Sequence, residues 1–462
     1  MDKQNTFRVV NGMNTTNLKS FKIFGLFGRY NIELPFDKEV NIFIGENGLG
    51  KTTILNCLYF VLEKKFSQLE GIAFHHIEIS FKDCTNTFFV SKADIVSYNR
   101  KRNNHRSYYY QDYFEDLLSD FSISSENLDS LSSEELNYLV KQLANAQGIS
   151  PSMAQKRLYS YFNAHSRSFT KGKGDEKKVL QLSKAINEHL SERIIYLPTY
   201  RRIENDFSSL NIQNEEINNS EMLIRFGMAD VQKSIETVLE QIRDLAMQGF
   251  NKMTGLLLEQ YTAGDNISNN VDSIDLEIVK IALNRLGDKI EGRTKQDIIT
   301  LIRTNAIYGA NYLHLLNLLH KLIANYDQQK HHDDRINGFV NTCNKYLNSK
   351  HFKYDPSNLT LGIHLDDSGD VNNTVKLTQL SSGEKQIVSL FSKLYLEQEE
   401  KSIVIIDEPE LSLSIKWQQM LLPDIMRTNN CRFLLTVTHS PFIFENEFDM
   451  DAKEIRAYMT QQ

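Results

Sequence analysis

Eight residues near the start of the chain, Gly45-Glu46-Asn47-Gly48-Leu49-Gly50-Lys51-Thr52, fit the pattern G-x-x-x-x-G-K-[ST] and run into Thr53 and an apolar stretch. Glycines at these positions let the backbone wrap phosphates, a lysine reaches the terminal phosphate groups, and a threonine hydroxyl can ligate Mg²⁺. Far downstream, Ile403-Val404-Ile405-Ile406 deliver the acid pair Asp407 and Glu408. Such a pair can hold a metal ion, through water, with the first carboxylate and polarise an attacking water with the second. Taken alone, it also reads as a strand ending in solvated acids before Pro409. His439 closes the next apolar run, CRFLLTVT, ahead of Ser440-Pro441. Its ring can donate to a phosphate, and a histidine in that setting also serves as a plain turn residue. In LTQLSSGEKQIVSL, residues 377–390, Ser381, Ser382, Gly383 and Glu384 open a helix whose free N–H groups suit an anion, as ordinary helix starts also do. The combined chemistry is that of ATP with Mg²⁺, and of hydrolysis to ADP and phosphate.

These groups need strands that end where they begin. FKIFGLF (21–27) and VNIFIG (40–45) read as two strands, the second leading through the glycine-rich loop into a helix over TILNCLYFVLEKKF. HIEISFKDC and TFFVSKADIV (76–96) continue as strands, and RIIYLPTYRR (193–202) is a strand ending at a proline turn. LTLGIHL and TVKLTQL read as strands leading into Ser381, while KSIVIIDEPE (401–410) and CRFLLTVTHSP (431–441) are buried strands. The alternation of strand, loop and helix predicts an α/β fold.

Between the two halves the texture turns helical. Ser132 and Glu135 have capping-box spacing before Leu136, Leu139, Val140 and Leu143. KGKGDEKK (171–178) reads as a flexible loop, and residues 220–325 are mostly helical by pattern. Val231, Ile235, Val238, Ile242 and Leu245 step by four and three, as a packed seam requires; the seam suits a helical bundle core or an oligomerisation surface. Arg100, Lys101, Arg102, His105 and Arg106 precede Tyr108, Tyr109 and Tyr110, a pattern compatible with a solvated loop face or with contact to a polyanion. His331-His332-Asp333-Asp334 mimics a metal site, but neighbours on a helix point about 100° apart, so the four are expected at the surface.

The formal charge of −7 argues against a generally nucleic-acid-coating surface and confines any DNA contact to a local patch. Cys57, Cys84, Cys343 and Cys431 form no C-x-x-C pair, which signals neither a zinc cluster nor a disulfide framework and fits a reducing cytoplasm. No apolar run approaches the ~18 residues of a membrane span.

The ordered set Lys51, Ser381 to Gly383, Asp407 with Glu408, then His439 resembles the ABC-type ATPase heads of the SMC, Rad50 and RecF group. Their order is Walker A, insertion, signature, Walker B and switch histidine, and the resemblance covers roughly residues 15–96 and 336–445. It implies an ABC-type ATPase head (P-loop NTPase) with a large helical insertion between the Walker A and signature motifs. The halves of the head would be 1–98 and 336–462, with a helical insertion at 99–190, a returning strand and loop at 191–205, and a helical or oligomerisation insertion at 206–335. The resemblance further implies an ATP-sandwiched dimer. In it, Gly45, Asn47, Gly48, Gly50, Lys51, Thr52 and Thr53 of one copy face Ser381, Ser382, Gly383 and Glu384 of the other. Thr52 and Asp407 would hold Mg²⁺, and Glu408 and His439 would act in catalysis. An ABC transporter domain shares these motifs but places its signature much sooner after Walker A, whereas residues 53–380 intervene here.

NKYLNSKHFKYD, LTQLSSGEKQIVSLF, IIDEPELSLSIKWQ and THSPFIF are similar to the stand-alone AAA ATPases of prokaryotic defence operons, including the OLD-like group and the ATPase subunit of the PARIS anti-phage system. That resemblance implies a cytoplasmic, homo-oligomeric ATPase that detects a phage trigger protein or DNA and restrains, then releases, a separate effector. OLD-like proteins carry a Toprim nuclease after the ATPase, and residues 440–462 leave no room for one, so a Toprim-type nuclease is expected as a separate chain. The rival expectations are a RecF- or Rad50-like DNA-repair ATPase that clamps duplex DNA, and an ATP-gated scaffold with negligible turnover. The wider group commonly has His-Pro where this chain has Ser414-Ile415, and no glutamine can be assigned to the Q-loop.

Overall fold

The computed structural model describes residues 16–46, 48–100, 141, 174–198, 227–263, 274–287, 290–366, 374–397, 400–428 and 430–461. In chain order the elements are β1 (Leu18–Leu26), β2 (Tyr30–Pro35), β3 (Val40–Ile44), α1 (Lys51–Leu62), β4 (His76–Phe81), β5 (Thr87–Ser91), α2 (Glu176–His189) and β6 (Arg193–Leu197). Four helices follow, α3 (Met228–Ala263), α4 (Leu276–Arg285), α5 (Gly292–Arg303) and α6 (Leu313–Cys343). The remainder comprises β7 (Lys350–Asp355), β8 (Thr360–Leu365), β9 (Thr374–Val375), α7 (Ser382–Tyr395), β10 (Ser402–Asp407), α8 (Ile415–Met426), β11 (Cys431–Thr438), β12 (Ala452–Glu454) and β13 (Met459–Gln461). Two compact units emerge, each assembled from separate stretches of chain.

The first unit takes residues 38–52 and 192–455. Its main sheet has the order β12-β3-β11-β10-β6, and every pairing is parallel. Strands covered on both faces read as continuous apolar runs, and all six residues of β10 are buried. Thr438 lies opposite Ile44 and Val437 opposite Asp407, so β3, β11 and β10 end at one edge. The carboxyl ends of parallel strands are where α/β sheets place ligands.

Helices close the apolar core of this unit. Val231, Ile235, Val238 and Ile242 of α3 share one buried cluster with Phe339 of α6, Phe391 of α7 and Val404 of β10. The seam read from the sequence therefore packs inside the unit's own core, with Leu245 at its half-buried margin. A second cluster, including Met253, Val279, Leu283, Ile298 and Leu319, knits α3 to α6 together.

One expectation needs correction here. Within His331–Asp334, His332 and Asp333 are buried rather than at the surface. They share an inward face of α6 with Gln329 and Ile336, three or four residues away. Arg285 Nη2 donates to both Asp333 oxygens at 2.7 Å, Tyr354 donates its hydroxyl proton to Asp333 at 2.5 Å, and Arg285 Nη1 donates to Gln329 at 2.7 Å. A buried carboxylate persists because it is paired and hydrogen-bonded.

The second unit takes residues 17–37, 53–191 and 456–462. Its sheet is antiparallel, in the order β13-β2-β1-β4-β5. β4 alternates half-buried and buried residues, the pattern of a one-sided sheet. Residues 92–100 form a helix where the sequence suggested that strand continues to 96. Ser91 and Asp94 explain the switch: Asp94 accepts from the Ser91 N–H at 2.9 Å, and the Asp94 N–H donates to Ser91 Oγ at 3.2 Å. This reciprocal capping box starts a helix. Likewise the loop expected to reach residue 178 ends at Asp175, which caps α2 by accepting from the Lys177 N–H at 3.0 Å. In TVKLTQL only Thr374–Val375 is strand, and Leu377–Gln379 is a 3₁₀ turn.

Asn47, the residues 101–110 of the basic and aromatic stretch, and the capping-box segment at 132–140 and 143 lie outside the described residues. Among the described residues no helix is long and apolar enough to cross a membrane.

Candidate functional site

The loop after β3 is shaped by its glycines. Gly48 and Gly50 have φ of +86° and +79°, a region closed to most side chains. A Cβ on Gly45 would sit 2.6 Å from Ile455 Cγ2, so the backbone there runs where no side chain fits. α1 begins at Lys51, leaving the N–H groups of its first turn without intrahelical partners. Thr52 and Thr53 follow within that turn.

Lys51 is only 5% exposed. Its Nζ donates to Glu46 O at 3.0 Å and lies 2.5 Å from His439 Nε2. Burial lowers its pKa below the ordinary lysine value, against the opposing pull of Glu408, Asp407 and Glu410. The Glu46 carbonyl and the His439 ring are partners that the Lys51 side chain can exchange for phosphate oxygens. Thr52 Oγ1 donates to Asp407 Oδ2 at 2.6 Å, and Asp407 is fully buried at the end of β10. Two hard oxygens side by side are the donor type that Mg²⁺ prefers. The glycine backbone, Lys51 and this oxygen pair fit a magnesium-bound triphosphate.

Past β10 the chain turns sharply. Glu408 has φ +48°, which is rare for a residue with a Cβ, and its N–H donates to Val437 O at 2.8 Å. Its Oε1 lies 3.6 Å from His439 Nε2. The structure thus brings Lys51, Thr52, Asp407, Glu408 and His439 together at the edge where β3, β10 and β11 end.

Sequence reasoning passed over three further residues at this edge. Glu410 Oε1 accepts from the His439 N–H at 2.8 Å and the Ser440 N–H at 3.2 Å, and its Oε2 accepts from Thr438 Oγ1 at 2.8 Å. Ser440 Oγ donates to Gln418 Oε1 at 2.6 Å, and Gln418 Nε2 donates to Leu413 O at 3.0 Å. A second acid in DEPE was visible as a residue type. Its partners depend on where the chain after β11 passes, which spacing does not reveal.

The turn at residues 381–384 makes its contacts elsewhere in the unit. Ser381 caps α7, and Glu384 completes the capping box by accepting from the Ser381 N–H at 2.8 Å. Glu384 is buried and also pairs with Lys350 at 3.0 Å. A Cβ on Gly383 would lie 2.6 Å from Ser412 O and 3.0 Å from Trp417 Cζ3. Ser414, at the position of the departure from His-Pro, caps α8 by accepting from the Trp417 N–H at 3.4 Å.

A parallel sheet whose first loop is glycine-rich and ends in Lys51-Thr52 defines a P-loop ATPase of mixed α/β fold. Residues 18–444 match the profile of the AAA ATPase domain, and the chain belongs to that family. None of the curated proteins matches it in sequence. Among solved structures it is similar to the Smc head domain with an extended coiled coil, bound to the C-terminal domain of ScpA, from Pyrococcus furiosus. Identity is 10%, with 92% of this chain and 90% of that one covered and a TM-score of 0.33. A second structure, the Smc head bound to the C-terminal winged-helix domain of ScpA, aligns at 10% identity over 94% and 91% of the two chains, with a TM-score of 0.32.

Proposed function

We propose that the chain binds ATP with Mg²⁺ and hydrolyses it. The observation that carries this reading is the convergence of Lys51, Thr52, Asp407, Glu408 and His439 at one sheet edge. Lys51 takes the terminal phosphates, and the N–H groups of residues 48–53 line the rest of the chain of phosphates. Thr52 and Asp407 would hold Mg²⁺, which would supply positive charge against the phosphates. Glu408 orients the attacking water and accepts its proton, and His439 donates to the departing phosphoryl oxygens. Lys51→Ala tests the binding half: a fluorescent ATP analogue should bind the native protein and not the variant, and equal binding would remove Lys51 from the site.

Beyond the ATPase itself, the similarity to defence-operon ATPases supports a cytoplasmic sensor. Two copies would sandwich ATP, with Ser381 to Glu384 of one facing the phosphates on the other, and would assemble further into a homo-oligomer. A phage trigger protein or DNA would shift the assembly and release a separate Toprim-type nuclease. Native mass spectrometry of the complex purified from its own operon tests this. An assembly larger than a dimer carrying a nuclease supports the sensor, and a bare dimer retaining DNA supports a DNA-clamping repair ATPase instead.

A further inference from the structure

We infer that Glu410 is a positioning residue that fixes the loop carrying His439. The inference rests on the ATPase reading above only for its consequence in turnover. Its structural basis stands apart from that reading.

Three donors converge on one carboxylate. Both Glu410 oxygens are used: Oε1 takes the consecutive N–H groups of His439 and Ser440, and Oε2 takes the hydroxyl of buried Thr438. Consecutive N–H groups aimed at one anionic oxygen form strong, charge-assisted hydrogen bonds. They fix the backbone at the residue whose ring meets Lys51 and lies near Glu408. Ser440 is held a second time, through its hydroxyl, by Gln418 of α8. The loop is therefore clamped on both sides of the His439 Cα.

The geometry also links two elements of the proposed chemistry. Glu408 and Glu410 sit on one turn, separated by Pro409, whose ring fixes its own φ. The segment that presents the general base thus also anchors the histidine. A displacement of either would be felt at the other, because the connection consists of Pro409, with its fixed φ, and three hydrogen bonds.

Replacement by glutamine separates positioning from charge. The amide oxygen can accept both N–H groups, and the amide nitrogen can donate to Thr438 Oγ1, whose own proton can turn to Ser440 O, 3.4 Å away. Alanine removes the carboxylate from all three donors and leaves the Ser440 N–H its bond to Thr438 Oγ1 at 3.0 Å.

The test compares the full-length protein with Glu410→Ala and Glu410→Gln by two readouts: hydrogen–deuterium exchange of the peptide spanning 436–442, and MgATP turnover. Glu410→Ala should exchange the His439 amide faster and lower kcat by about 100-fold, with ATP binding changed by less than about threefold. Glu410→Gln should keep the protection and remain within about tenfold of native turnover. Native protection in Glu410→Ala would overturn the inference. So would a protected Glu410→Gln with turnover as low as that of the alanine variant, since charge would then be the requirement. If the native protein binds ATP without hydrolysing it, the hydrolysis reading fails while the exchange data still decide the role of Glu410. If Glu410→Ala does not fold, Thr438→Val removes one of the three bonds together with the Ser440 N–H bond to Thr438 Oγ1, so the His439 amide alone is read. It should raise exchange at that amide, and unchanged exchange there would likewise overturn the inference.

Discussion

Thr52 Oγ1 and Asp407 Oδ2 lie 2.6 Å apart although 355 positions separate them in sequence. The parallel register of β3, β11 and β10 produces this meeting by ending the strands together. Asp407→Asn should raise the Mg²⁺ concentration needed for half-maximal ATP-analogue binding by about 10–100-fold, the range typical of groups that tune a metal site. A metal titration monitored by fluorescence checks it; an unchanged midpoint would place the metal elsewhere.

Arg285 and Asp333 are a buried pair whose side chains are 2% and 4% exposed. Asp333→Ala leaves the guanidinium without its carboxylate, and breaking such a pair typically costs about 3–5 kcal/mol. Urea unfolding should show a loss of that order. A change below about 1 kcal/mol would mean that water replaces the carboxylate without penalty.

Gly383 packs against the carbonyl of Ser412, so Gly383→Ala forces backbone to move. Overpacking of this kind costs about 1–3 kcal/mol. Gly71→Ala serves as control, because an added Cβ there meets nothing within 4 Å. Thermal melting should separate the two variants, and equal Tm values would show that the Ser412 loop yields freely.

Cys57, Cys343 and Cys431 are buried, while Cys84 is partly exposed. A thiol reagent should modify Cys84 readily in the native protein and the other three only in denaturant. Burial pushes the Cys57 and Cys431 thiols up from 9.0 to about 12. The unfolded chain then releases these protons first, near pH 9, while the folded chain holds them. Their contribution to stability is full below pH 9 and lost between pH 9 and about 12. A urea midpoint that stays level or rises across this range would contradict the sign.

Much of the site was legible because its chemistry demands particular residue types at fixed spacing. Gly48, Gly50, Lys51 and Thr52 follow from phosphate wrapping, and a fully apolar β10 announces Asp407 and Glu408. Glu410, Gln418 and Ser440 were not legible, since their roles come from a crossing between the turn after β10 and the loop after β11. The buried His332 and Asp333 were misread because a polar run carries no signal of its partner: Arg285 lies on another helix. At Ser91 the signal was present in SKAD, but the apolar run before it outweighed a four-residue cap.

The most direct test of the account is ATP turnover by the purified protein and by Glu408→Gln, with bound nucleotide measured alongside. The native protein should hydrolyse MgATP, and the variant should retain ATP while turning it over about 10²–10⁴-fold more slowly. Equal rates in the two proteins would contradict the assignment of Glu408 as the base, and with it the reading of this sheet edge as a hydrolytic centre.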